Sequence, residues 1–451
     1  MKERSSYGAE IRKQNIPLQA TLDLYRKAVA WLIPVYDGEW ERLDGIKDKN
    51  RQFNHAEHLV HGTKKNHATY PFDEAFPKMP SYLRRSAIRH ALGSVSSYRT
   101  RLSLWEEGEL IGKPRLTAKN HAMPVFYHKE MYRLGKKRNG QGISDSTEDT
   151  IEMKLYSGRD WLWYPVRLLH TDLQYLRRYW AGKETESPVL EKRHKKYFLR
   201  FTFTEDVKLS KRPEREQKIC AVDLGFNTHA VCSVMDREGT VLARKFIDFA
   251  GEKDLLGRMT GRIRRTQRTP GKQNQIRKRW KYAVRLNEEL SRKISGAVVR
   301  FAEKQGCDVL VFEHLDMKGK IRGSKKQKLH LWRKREIQKR CEHMGHRAGM
   351  RFSRVNAWGT SAYAYDGSGK VVRDKDNYSM CTFSSGKRYH CDLSASYNIG
   401  ARYWIREILK SLPGTAGSLL EAEVPAVKRR SRCVHADLLH LNRVMMEKGT
   451  A

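Results

Sequence analysis

Three short apolar runs in this chain stop at, or open from, a carboxylate. Ile219 to Val222 leads into Asp223 within AVDLGFN, Asp308 to Phe312 leads into Glu313 within VLVFEHLD, and Asp392 opens the amphipathic stretch CDLSASYNIGA. A brief apolar run bounded by polar residues reads as a buried strand. Acids at the ends of adjacent buried strands converge on one edge of a sheet, where negative charge is costly unless cations neutralise it. Carboxylate oxygens of this kind suit Mg²⁺ or Mn²⁺. Two such ions, roughly 4 Å apart, activate a water and stabilise the leaving oxygen of a phosphodiester. Singly, two of the acids have plainer readings: Asp223 as a turn former beside Gly225, and Asp392 as a helix N-cap. Glu313, closing an apolar strand, has no such ready alternative.

Charge points the same way. Lys and Arg number 89 against 51 Asp and Glu, a formal net charge of +38. A folded chain this basic repels itself unless something anionic lies against it, and polynucleotide is the usual partner. A membrane surface is the competitor, but the chain has neither a basic amphipathic anchor nor a lipidation signal. Its longest apolar runs, such as Val29 to Val35, are too short to span a bilayer. The N-terminal MKERSSYGAEIRKQN lacks a secretory apolar core, and the 7 cysteines form no disulfide framework. Both imply a reducing cytoplasm, as in a bacterium, with the protein on the nucleoid when bound to DNA.

At 451 residues, two to four domains are expected. A strand near Ser6 to Arg12 precedes a helix over Thr21 to Ile33, whose apolar face is Leu22, Tyr25, Val29, Leu32 and Ile33. Aromatic, basic, mostly helical sequence continues to about 145, broken by Pro71, Pro77, Pro80 and Pro114, and Lys136 to Asp149 reads as a loop. Strands follow at Ile151 to Tyr156, Trp161 to Leu168 and Tyr197 to Thr204, suggesting a small antiparallel sheet or barrel. Beyond Lys218 come strands at His229 to Met235 and Thr240 to Phe246, joined by a hairpin turn at Asp236 to Gly239. A long charged helical region from about 252 to 305 and a strand at Phe352 to Asn356 complete an α/β pattern.

With these residues in view, the chain resembles a family. The segments around Asp223, Glu313 and Asp392 look like the three RuvC motifs of TnpB nucleases, which the compact type V CRISPR effectors share. The pattern of Asp392, Ala395, Asn398 and Ile399 is the sharpest piece, and the resemblance is specific from about 217 to 408. It implies an RNase H-like (RuvC) nuclease domain split by insertions, a β-barrel-like wedge domain and a helical recognition domain, a mixture of α/β and all-α parts. On that reading the wedge is 1–19 and 146–214, the recognition domain 20–145, the nuclease 215–356 and 391–410, and a basic tail 411–451. The implied activity is RNA-guided cutting of double-stranded DNA beside a short protein-read motif. Asp223, Glu313 and Asp392 would bind the metal, and the partners are a guide RNA and DNA, with no protein partner required.

One departure stands out. Family members often carry a four-cysteine zinc ribbon between the second and third motifs. Over 357–390 this chain has Tyr363, Tyr365 and Asp366 where the first cysteine pair belongs, and Ser384 in place of a partner for Cys381. Cys391 and His390 lack paired spacing, so a hairpin without zinc is expected.

Two basic tracts are candidates for phosphate contact. Arg258, Arg262, Arg264, Arg265, Arg268, Lys272, Arg277, Lys278 and Arg279 run on to Lys281 and Arg285 without an intervening acid, whereas a solvated helix normally mixes both signs. Lys318, Lys320, Arg322, Lys325 and Lys326 follow closely on Glu313 and read as a DNA-gripping lid or as a solvated loop. Rival readings are an RNA-guided binder that silences without efficient cutting and a guide-free transposase.

Overall fold

The computed structural model describes the chain except residues 64–66, 111, 118–121, 135–149, 226–227, 315–332, 413, 429–431 and 449–451. It divides into two compact units, Lys2–Asp206 and Val207–Ala451, the latter with Met1. It is a mixed α/β chain.

The first unit contains β1 (Lys2–Ile11), α1 (Leu18–Gly38), α2 (Trp40–Asp44), α3 (Lys49–Val60), α4 (Phe72–Ala75) and α5 (Ser81–Glu106). These are followed by β2 (Tyr132–Leu134), β3 (Thr150–Tyr156), β4 (Trp161–Arg167), α6 (His170–Trp180), β5 (Glu184–Arg193) and β6 (Lys196–Asp206). The strands form two antiparallel three-stranded sheets, β1-β6-β5 and β2-β3-β4. In α1 the face Leu22, Tyr25, Val29, Leu32 and Ile33 is buried, and Pro34 sits inside the helix. The strand β5 is hidden in sequence because its segment ETESPVLEKR is polar, and its register shifts between Glu186 and Val189, around Pro188. The loop expected at Lys136 to Asp149 lies outside the described residues.

The second unit opens with β7 (Ile219–Asp223), β8 (Ala230–Met235) and β9 (Val241–Ile247), then α7 (Ala250–Gln267), α8 (Gln273–Lys304) and β10 (Val309–His314). After these come α9 (Lys334–Arg347), β11 (Arg351–Asn356), the short strands β12 (Val372–Arg373), β13 (Met380–Thr382) and β14 (Arg388–His390), and α10 (Cys391–Ser411). The helices α11 (Gly414–Glu423), α12 (Pro425–Lys428) and α13 (His435–Glu447) close it. Its main sheet has the order β11-β10-β7-β8-β9, with β7, β10 and β11 paired in parallel and β8 paired antiparallel to both β7 and β9. The turn between β8 and β9 needs Gly239 at φ +93°. The single helical region expected over 252–305 is two helices, because Pro270 and Gly271, the latter at φ +76°, interrupt it.

Strand alternation divides the sheet into two cores. Ile219, Ala221, Val309 and Val311 face α10 and α13, packing with Ile399, Trp404, Ile408, Leu438 and Leu441. Cys220, Val222, Leu310 and Phe312 face the other way, toward α8 and α9, with Ile294, Val298, Ile337 and Cys341. The segment past 410, read from sequence as a basic tail, therefore holds a helix that closes one face of the sheet.

Candidate metal-dependent active site

The parallel pairing of β7 and β10 aligns Val222 with Phe312, so Asp223 and Glu313 follow at the same level on neighbouring strands. By the two-residue alternation, both side chains share the face of Ala221 and Val311, the face that α10 covers. That helix brings Asp392 in its first turn. It approaches the sheet closely: a Cβ on Gly400 would meet Met235 Cε at 3.1 Å and Ala221 Cβ at 3.4 Å. At the far end of β7, Gly225 lies against Asp392, and a Cβ there would meet Asp392 Oδ2 at 3.0 Å and Thr228 O at 2.5 Å. The three acids of the sequence reading thus lie at one end of the sheet, on the side that α10 covers. Asp392 is not the N-cap, since His390 holds that position.

Asp223 and Glu313 are 7% and 8% exposed. Burial pushes the Asp223 carboxyl well above the ordinary range, the charges of Glu313 and Asp392 push it further, and Lys334 and Arg373 pull it back. Burial also raises Asp392, against His390, Arg373 and Lys334. Lys334, at the start of α9, is lowered by burial while the three acids hold it up. Acids forced to share a dry place disfavour ionisation until a cation joins them.

Glu313 is fixed by neighbours that pattern reading misses. The Thr360 hydroxyl donates to its Oε1, and Gln338 Nε2 on α9 donates to its backbone oxygen at 2.8 Å. Thr360 is itself held by Asn398, whose Nδ2 donates to the backbone oxygens of Thr360 and Tyr363, both at 3.0 Å. The Asn398 Oδ1 accepts from the His435 backbone N–H at 3.0 Å. The asparagine of the D-x-x-A-x-x-N-I pattern is therefore a staple joining α10, the loop after β11 and α13.

Among the described residues, no three His, Cys, Asp or Glu side chains stand close enough together to hold an ion as they are. The donor set nevertheless fits a hard divalent cation: three carboxylates at one end of the sheet, two of them buried, with raised proton affinity at Asp223 and Asp392.

At 13% identity and a TM-score of 0.49, the chain is similar to the mini-RNA-guided endonuclease CRISPR-Cas_phi3, over 88% of this chain and 92% of that one. It is similar to a Cas12f1 bound to single-guide RNA and target DNA at 14% identity and a TM-score of 0.43, covering 77% and 73% of the two chains. CasPhi-2 (Cas12j) bound to crRNA aligns at 10% identity and a TM-score of 0.44, covering 88% and 97%. A family model described as the Aq_aa04 family matches residues 5–157. No curated protein sequence matches the chain.

Of the first basic tract, Arg258, Arg262, Arg264 and Arg265 lie exposed on α7, Arg268 and Lys272 in the connection, and Arg277 and Lys278 exposed on α8. None of these eight has an ion-pair partner among the described residues. Arg279 differs: its Nη1 donates to Arg262 O at 3.4 Å and to the Thr266 hydroxyl, tying the two helices together. Lys318, Lys320, Arg322, Lys325 and Lys326 lie outside the described residues.

The hairpin of β12, β13 and β14 closes on a small core of Ala364, Cys381, Phe383 and Cys391, with Tyr365 and Tyr389 packed against it. Tyr365 meets Phe383 and Tyr397 edge-on and Tyr389 at a tilt, with centroids 5.7, 5.2 and 5.1 Å away. Burial lifts the Cys381 thiol to about 12.

Proposed function

We propose that this chain is an RNA-guided, Mg²⁺-dependent DNA endonuclease, a compact type V effector of the TnpB kind, cutting at the site of Asp223, Glu313 and Asp392. One observation carries the reading: the three acids picked out in sequence lie at the same end and on the same side of one sheet. Its strand order β11-β10-β7-β8-β9, with β7, β10 and β11 paired in parallel and β8 antiparallel between β7 and β9, supports an RNase H-like (RuvC) reading. The β-rich and helical parts of the first unit would serve as wedge and recognition domains.

In this reading Asp223, Glu313 and Asp392 would hold the metal, which when bound would supply an activated water and charge stabilisation at the leaving oxygen of the phosphodiester. Thr360 and Gln338 fix Glu313 from two sides, and Asn398 fixes Thr360. The exposed cations of α7 and α8 offer a sequence-independent grip on phosphates. Guide RNA and double-stranded DNA are the partners in this reading.

The experiment is expression with flanking DNA, sequencing of the co-purified RNA, and plasmid cleavage in Mg²⁺. A discrete RNA ending in a variable segment, with cleavage lost in Asp223→Ala, is expected. Absence of any defined RNA sinks the guided reading. A second reading, guided binding without efficient cutting, is favoured by Lys334 and Arg373 standing near the acids as internal counter-charges. Matched-target binding with intact plasmid in Mg²⁺ would select it.

A further inference from the structure

Tryptophan is highly buried on average, yet Trp358 is 48% exposed. It follows β11 at the end where Asn356 aligns with His314, the residue after Glu313. Two residues further on, Thr360 binds the Glu313 carboxylate. Two residues of chain reach at most roughly 7 Å, so the Trp358 backbone is anchored within that distance of Thr360, which supports Glu313.

Its backbone is fixed on both sides. The Trp358 N–H donates to Asn356 Oδ1 at 2.8 Å, and its carbonyl accepts from Arg402 Nη1 at 2.9 Å. Arg402 is buried and also donates to Asn356 O at 2.7 Å and to Cys433 O at 2.9 Å. The Tyr363 ring lies 5.7 Å from the indole at 35°, and Gly359, at φ +68°, makes room for it: a Cβ there would meet that ring at 3.0 Å. The Arg432 guanidinium sits over the indole, 4.7 Å from its centre, and is exposed. A large exposed π-surface on a pinned backbone, with an exposed cation above it, gains nothing for folding from its exposure. It has the makings of a base-stacking platform.

We propose that Trp358, with Tyr363 and Arg432, forms a subsite that stacks an unpaired base of the DNA strand presented to the acid site. This deepens the nuclease reading and rests on it. In the free protein Arg432 covers the indole through an exposed cation–π contact, which is weak. A base takes that place on the ring, and the displaced guanidinium meets the neighbouring phosphate. Stacking is tolerant of base identity because every base has a π-face, which suits an enzyme that must accept any sequence.

The test uses the full-length protein and short single-stranded oligodeoxynucleotides, with Ca²⁺ replacing Mg²⁺. Trp358→Ala is expected to weaken binding of a base-bearing strand about tenfold, while Trp358→Phe keeps most of it. Neither changes binding to an abasic strand of equal length or the melting temperature. A strand carrying 5-iododeoxyuridine, irradiated and mapped by mass spectrometry, is expected to cross-link the peptide holding Trp358 or Tyr363. Unchanged affinity in Trp358→Ala, an equal loss on the abasic strand, or cross-links only elsewhere would overturn the subsite. Plasmid cleavage by the wild type judges the nuclease reading separately, since the binding measurement involves no cutting.

Discussion

Asn398→Asp probes the staple beneath the acid site with a near-isosteric change. Asn398 is fully buried and uses both ends of its amide: two N–H bonds to the carbonyls of Thr360 and Tyr363, and one acceptance from the His435 N–H, each at 3.0 Å. The aspartate keeps the acceptor and loses both donors. It also places a carboxylate oxygen beside two carbonyl oxygens with no hydrogen between them. Leaving a buried acceptor unpaired costs about 1–3 kcal/mol, so two cost about 2–6 kcal/mol. That is a large fraction of the roughly 5–15 kcal/mol by which a domain is stable. Asn398→Ala strands the His435 N–H as well, raising the range to about 3–9 kcal/mol. Urea unfolding followed by circular dichroism measures both losses, and the aspartate variant, which adds a buried carboxylate facing two carbonyls, should lose at least as much as the alanine one. A loss under about 1 kcal/mol in both variants would mean that water or rearrangement replaces these bonds, and would refute the staple.

Four further outcomes follow from the same geometry. Gly225→Ala puts a Cβ 2.5 Å from the Thr228 backbone oxygen and 3.0 Å from Asp392 Oδ2; overpacking of this kind costs about 1–3 kcal/mol, and cleavage should fall more than the melting temperature suggests. Thr360→Val removes the hydroxyl that holds Glu313 while keeping the shape; Thr360→Ser should restore Mg²⁺-induced thermal stabilisation that the valine variant loses. Asp223 binds its proton more tightly folded than unfolded, so the metal-free protein carries extra protons above about pH 4 and loses stability as pH rises through that window. In EDTA at neutral pH, Asp223→Asn should therefore be more stable than the wild type, with the difference closing toward pH 4 in urea titrations. Mg²⁺ at a hundred times its dissociation constant should stabilise the wild type by about 2.7 kcal/mol and Asp223→Asn by much less, as read by denaturation midpoints.

What sequence pattern could reveal here was whatever repeats or ends a repeat. The apolar runs before Asp223 and Glu313 announce buried strands, and strand alternation then dictates that both acids share a face. Lys334, Arg373, Gln338 and Thr360 have no such signature: polar residues in charge-rich segments acquire meaning only from partners far along the chain, 47 residues away for Thr360 and Glu313. The segment past 410 is a different case. Its charge suggests a tail, but Leu438, Leu441 and Met445 recur at helical spacing and are buried, and that period is the signal that finds α13. The consequence reaches the chemistry. His435 at the start of that helix caps the Asn398 oxygen, Asn398 holds Thr360, and Thr360 holds Glu313. A chain end that looks like a solvated appendage is thus tied by three successive hydrogen-bonding residues to a carboxylate of the candidate site, so its removal should disturb that carboxylate as well as the stability of the sheet.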